Sequence, residues 1–228
     1  MKLQAERITL SELLGIEFPL IVAPMFLVSN SAMVIAAIKS GVTAAIPALN
    51  YRTVEELRQT IRSIKEQING PFGINLIVNK SNFLYKDQLA VCCEEKVDFI
   101  ITSLGSPKET IIEAHKAGVK VFCDVVNVEY AKKVEQLGAD AIIAVNKEAG
   151  GHAGPFSFKE LVPQLKEVCS IPVISAGGAG NGYEIKEMID LGADGVSVGS
   201  IFIASEESDV SKEYKEACVE YGKDDIVM

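Results

Sequence analysis

The loop Glu148-Ala149-Gly150-Gly151-His152-Ala153-Gly154 sets one of the chain's two histidines among glycines and alanines, where little packing can bury it. An imidazole left free to meet a ligand suits general-base chemistry, because its ordinary pKa of about 6.5 gives access to both protonation states near neutrality. A lone loop histidine is more commonly an ordinary surface residue, so the case rests on the company His152 keeps. Two further loops, Ala176-Gly177-Gly178 and Gly199-Ser200, remove side chains where backbone amides can approach an anion. Ile201 to Ala204 is placed to begin the short helix that often completes such a phosphate site. Glycines also permit tight turns, and either loop alone would be undecided; the pair points to phosphate. The run Gly177-Gly178-Ala179-Gly180 has neither the spacing and acidic partner of a Rossmann fingerprint nor the Lys and Ser/Thr of a Walker loop.

Other candidates carry less. Cys123 and Asp124 close an apolar run, and an aspartate there would point into a site, with a structural reading equally open. Glu148 is suited either to acid–base work or to simple solvation. His115 lies in the helical segment Glu109 to Ala117 and reads as solvent-facing or capping. Cys92-Cys93 reads as helix packing, and Glu206-Glu207 as solvation or capping before the next helix.

The elements that must hold these loops are short apolar runs alternating with longer amphipathic segments, in eight pairs. The runs are Leu20 to Ala23, Thr43 to Ile46, Phe72 to Ile77, Asp98 to Thr102, Lys120 to Cys123, Ala141 to Val145, Pro172 to Ser175 and Gly195 to Val198. Near-continuous apolarity marks strands buried on both faces of a parallel sheet. Between them, segments such as Thr53 to Ile68 repeat apolar residues at three- and four-residue steps, the mark of helices packed outside that sheet. Three helices end on Gly118, Gly138 and Gly192, each suited to a left-handed exit into the next strand. The expected fold is α/β, a (β/α)8 TIM barrel forming a single domain over residues 1–228, although an open doubly wound sheet uses the same units. On that reading Pro24-Met25, Asn75, Ser103 to Pro107, Glu148 to Gly154, Ser175 to Gly182 and Gly199-Ser200 all fall at the C-terminal ends of strands, where barrel sites are built.

A net charge of −9 argues against a nucleic-acid partner, which would need Lys and Arg to neutralise phosphates. The five cysteines are odd in number and lack C-x-x-C spacing, which fits a reduced cytoplasmic protein with no metal site. No signal-peptide core and no apolar run long enough to span a membrane is present.

Taken together the motifs resemble the nitronate monooxygenase / 2-nitropropane dioxygenase family, which also includes FMN-dependent enoyl-ACP reductases. They are Ile21-Val22-Ala23-Pro24-Met25, Phe72-Gly73-Ile74-Asn75-Leu76, Glu148-Ala149-Gly150-Gly151-His152, Ile174-Ser175-Ala176-Gly177-Gly178 and Val198-Gly199-Ser200 through Ser208. The resemblance implies FMN lying over the strand ends, with Met25 and Asn75 near the isoalloxazine. It implies Gly177, Gly178, Gly199 and Ser200 around the phosphate, with Ala23, Pro24, Gly150, Gly151 and Ala176 completing the cofactor's contacts. His152 is implied as the catalytic residue, removing the α-proton of a nitroalkane or contacting its nitronate, with O2 completing the reaction. In the reductase branch NAD(P)H would be the electron donor and an enoyl thioester the substrate.

The sequence departs from the family in two places. Ala144-Val145-Asn146-Lys147 stands where Gln or Glu followed by Gly is usual, and Asp124 replaces residues that are usually uncharged or basic. Relatives also continue past the barrel with a segment that helps roof the cavity, whereas this sequence stops at Met228, on what reads as the start of a further strand. The expectation is therefore an uncovered active face, buried in a homodimer, unless Val78 to Tyr85 and Ser103 to Pro107 roof the cavity unaided. A flavin-binding protein without turnover and a sugar-phosphate isomerase or lyase remain as alternatives.

Overall fold

The computed structural model describes residues 8–222 and 225. Eight strands, β1 (Leu20–Val22), β2 (Thr43–Pro47), β3 (Gly73–Ile77), β4 (Phe99–Ser103), β5 (Lys120–Val125), β6 (Ala141–Val145), β7 (Val173–Ala176) and β8 (Gly195–Val198), pair in parallel and in chain order. β8 pairs with β1, so the sheet is a closed barrel and not an open one. Around it run α2 (Ser31–Lys39), α3 (Val54–Gln67), α4 (Tyr85–Glu94), α5 (Lys108–Lys116), α6 (Val128–Gln136), α7 (Phe158–Val168) and α8 (Gly182–Asp190). α1 (Leu10–Leu14) precedes the barrel, α9 (Lys212–Glu220) follows it, and 3₁₀ turns occupy Ala48–Asn50 and Ser200–Ala204. The terminal stretch read as a nascent strand lies, residue 225 apart, outside the described residues.

Each apolar run forms a strand because it can be buried on both faces. Inward-facing Ile21, Ala45, Phe99, Ile101, Phe122, Ala141, Ile143 and Ile174 fill the barrel, while the alternate residues pack under the helices. Phe99 and Phe122 stack with centroids 4.7 Å apart. Gly73 makes room for them, since a Cβ there would lie 2.2 Å from the Phe99 ring. Leu10 of α1 plugs the N-terminal end against Gly195, where a Cβ would come within 2.7 Å of the leucine.

The helices start and stop where their chemistry dictates. Thr53 and Glu56 form a reciprocal capping box at the start of α3. Gly118, Gly138 and Gly192 take φ of +78°, +97° and +101° at the exits of α5, α6 and α8. The next residues but one, in the last two cases, are aspartates with a shared task. Asp98, Asp140 and Asp194 each stand just before a strand and bond twice to one residue at the start of the preceding strand. Their amides donate to the carbonyls of Phe72, Val121 and Val173, and their carboxylates accept from the amides of those same residues at 3.0, 2.7 and 2.8 Å. These clasps lace the N-terminal rim, and Lys166 adds an ion pair to Asp194 at 2.6 Å.

Candidate active site

At the opposite rim the strand ends surround a cavity of about 970 Å³. Ala23, Pro24 and Met25 line it from β1, Asn75 from β3, and Gly150, Gly151 and His152 from the loop after β6. Ala176 at the end of β7, Gly177 and Gly178 after it, and Gly199 and Ser200 after β8 complete the set, so the fold brings to one space every residue that the resemblance implies for the site. A second depression of about 570 Å³ beside α3, lined by Asn50, Tyr51, Arg52 and Glu56, collects none of them.

The anion end is made of backbone. Among the described residues, no protein acceptor takes up the amides of Gly178, Ala179, Gly199 and Ser200, whereas the pairing of Ala176 with Ser197 carries the β7–β8 ladder up to Gly177. The N-terminus of α8 is already satisfied, with Asn181 Oδ1 accepting from Tyr183 and Glu184 and the Glu184 carboxylate accepting from Gly180 at 2.7 Å. An anion would therefore rest on the loop amides and the start of the 3₁₀ turn. Gly177 and Gly178 have φ of +106° and +82°. A Cβ on Gly177 would strike the Ala149 amide nitrogen at 2.4 Å, so this glycine is demanded by its neighbour as much as by any ligand. Free amides on glycine-lined loops beside a cavity of this size fit an FMN phosphate and ring.

Asn146 joins the two loops. Its buried side chain donates from Nδ2 to the Gly177 carbonyl at 2.9 Å and accepts at Oδ1 from the Glu148 amide at 2.9 Å. Its carbonyl receives the amides of Ala149 and Gly154 at 3.2 Å. The sequence marked Asn146 only as a change of polarity; its positioning role went unread. The available signal was an Asn two residues ahead of a Gly-rich turn, the spacing of an Asx turn. His152, carried by this loop, is exposed and makes no hydrogen bond among the described residues.

On the other side of the cavity, β5 runs on to Val125 and places Asp124 within the strand, facing inward. Ser103 Oγ donates to Asp124 Oδ2 at 2.5 Å and receives Asn75 Nδ2 at 2.8 Å. The Asp124 side chain opens on the cavity yet is walled by the barrel, and burial pushes its carboxyl up to about 6, against the lowering effect of the Ser103 bond. Neighbouring Cys123 belongs to the core under the helices while bordering the same cavity, and burial raises its thiol to about 12, which removes it as a nucleophile. His115 pairs with Asp140 at 2.8 Å and is not part of the cavity lining, and buried Cys92 is packing. Ser103 to Pro107 do line the cavity, whereas Val78 to Tyr85 do not.

The family model for nitronate monooxygenase matches residues 7–89 and 81–228. A (3aS,4S,5R,7aS)-5-hydroxy-7a-methyl-1-oxo-octahydro-1H-indene-4-carboxyl-CoA dehydrogenase of Rhodococcus jostii is 31% identical over 97% of this chain, which spans 62% of that relative's length. A probable nitronate monooxygenase of Staphylococcus aureus is 30% identical over 96% of the chain and 74% of the relative. The structure of FabK from Thermotoga maritima superposes with a TM-score of 0.89 at 33% identity, covering 96% of this chain and 69% of that one. With matched segments running from residue 7 to residue 228, this chain belongs to the nitronate monooxygenase family.

Proposed function

We propose that the chain is an FMN-dependent oxidoreductase that oxidises alkyl nitronates with O2. The observation that carries this reading is the convergence of the free loop amides, Asn75 and the His152 loop on one cavity. Bound FMN supplies electron transfer between substrate and oxygen. The chain's own residues do the rest. The loops after β7 and β8 hold the phosphate, and Met25, whose amide is fixed by Ser29 Oγ at 2.8 Å, borders the ring. His152 accepts the α-proton of a neutral nitroalkane, leaving the nitronate. Purified protein should be yellow and should consume oxygen with propane-2-nitronate. A colourless preparation that binds sugar phosphates would overturn the reading.

The similarity to FabK favours a second reading, reduction of an enoyl thioester with NAD(P)H as donor. NAD(P)H oxidation dependent on an acyl thioester, without nitronate turnover, would select it. Two finer points are part of the proposal. A reducing, cytoplasmic location is supported by the absence of any disulfide among the five cysteines. A homodimer is supported by the exposed apolar rim of Phe26 and Leu104 on the cavity, and light scattering of the flavin-loaded protein tests it.

A further inference from the structure

Asp124 has one hydrogen bond, from Ser103, and no cation pairs with it among the described residues. Its Oδ1 is neither bonded nor sealed, and it faces the cavity from the end of β5, across from the loops after β7 and β8. Its partner Ser103 is held by Asn75, so the carboxyl is fixed on a neutral polar support with nothing to cancel its charge. A structural aspartate in this barrel looks different: Asp98, Asp140 and Asp194 each accept from a backbone amide.

We infer that Asp124 is a specificity-determining residue that admits neutral ligands to the deep end of the cavity and turns away anions. The inference rests on this cavity being the ligand site, and it deepens the proposed function. While ionised, Asp124 weakens binding of a preformed nitronate relative to the neutral nitroalkane, so propane-2-nitronate is still oxidised but with a higher KM than it would have without the charge. The proton then leaves carbon inside the site, and no redox partner is involved in that discrimination. Other charged or titratable groups lining the cavity are Glu148 and His152 on the loop after β6, Tyr130 and Lys133 on α6, and Cys123 beside Asp124 on β5, whose thiol burial holds in its neutral form; β3, β4 and β6 present none. Glu148 and Lys133 oppose each other in sign and are untouched by a change at 124. An imidazolium at the rim would draw anions in the same direction as protonation of Asp124, so His152 must be neutralised in any pH series.

The test uses flavin-loaded protein and two ligands of one shape, isobutyrate and isobutyramide, with binding read by flavin absorbance or calorimetry. In a His152→Gln background, Asp124→Asn should tighten isobutyrate at pH 7.5 by roughly tenfold or more, as expected for removing a unit charge several Å away in a partly screened site. Isobutyramide should stay within about twofold. Without the Asn variant, the His152→Gln protein itself should bind isobutyrate better as pH falls through about 6. An unchanged isobutyrate to isobutyramide ratio, a variant that binds no isobutyrate, or a flat pH series would each overturn the inference. Discrimination without oxygen uptake on nitroalkane or nitronate would overturn the proposed oxidation and leave the role of Asp124 standing.

Discussion

Asn146 Nδ2 donates to the carbonyl of Gly177 over 2.9 Å, tying the loop that carries His152 to the loop that presents free amides. Because Asn146 is fully buried, Asn146→Ala would leave the Gly177 carbonyl and the Glu148 amide without partners. Such groups cost about 1–3 kcal/mol each when water cannot replace the bond. The expected outcome is a lower urea midpoint together with loss of flavin, since both loops loosen. Full flavin retention with unchanged stability would show the bond to be dispensable.

The phosphate assignment is tested at Ser200, which is exposed, so a longer side chain meets no packing penalty. Ser200→Glu should lower flavin content severely by placing a carboxylate beside the proposed phosphate. Gly178→Asp should do the same, but with φ of +82° and a Cβ 3.0 Å from Glu148 Cβ it also brings strain. Gly178→Ala is therefore the control: strain alone should reduce stability yet keep more flavin than Asp does. Equal flavin in Ser200→Glu and the parent would remove the phosphate from these loops.

His152→Asn should keep its flavin, because the side chain is exposed and bonds to nothing in the loop. Turnover of a neutral nitroalkane should fall by about 10²-fold or more, the usual size of general-base catalysis, while turnover of the preformed nitronate falls less. Steady-state oxygen uptake on both substrates decides the matter, and parental rates on both would assign the base elsewhere.

Asp124 also has a stability signature. Its folded carboxyl keeps the proton up to about pH 6, whereas the unfolded chain releases it near the ordinary carboxylate value of about 3.9. The folded state therefore binds more protons between those values, and stability falls as pH rises from about 4 to 6. Above pH 6 the carboxylate costs about 1–3 kcal/mol, which Asp124→Asn should recover at pH 7.5. The gain should shrink by more than half at pH 4. Denaturant titrations at the two pH values would show it, and an equal effect at both would mean the charge is already stabilised. A carboxylate kept at such a cost in a ligand cavity fits a functional group.

Much of this molecule is readable from its residues, and the limits have physical causes. Every apolar run became a strand because burial on both faces leaves a signal in composition alone. The glycines at 118, 138 and 192 announced their turns through a conformation other residues avoid. Long-range side-chain bonding was not legible. Nothing in Gly-Ala-Asp says that Asp194 will reach back to Val173, and nothing in Ser103 says that Asp124 lies across from it. The inward aim of Asp124 was legible from its place at the end of β5, but the choice between a structural and a functional role was not, because it turns on partners distant in sequence, Ser103 and behind it Asn75.

The aspartate clasps sit on one rim and the ligand loops on the other. Because β3 is bound to β4, β5 to β6 and β7 to β8 at the end remote from the cavity, the wall stays closed whatever the loops above it do. Mechanical integrity and chemical identity are thus written in separate parts of the chain. With Asn146 kept to hold the Gly177 carbonyl, the residues from 147 to 157 are the part to exchange for those of another barrel of the same build, redirecting the chemistry without touching the lacing that keeps the vessel shut.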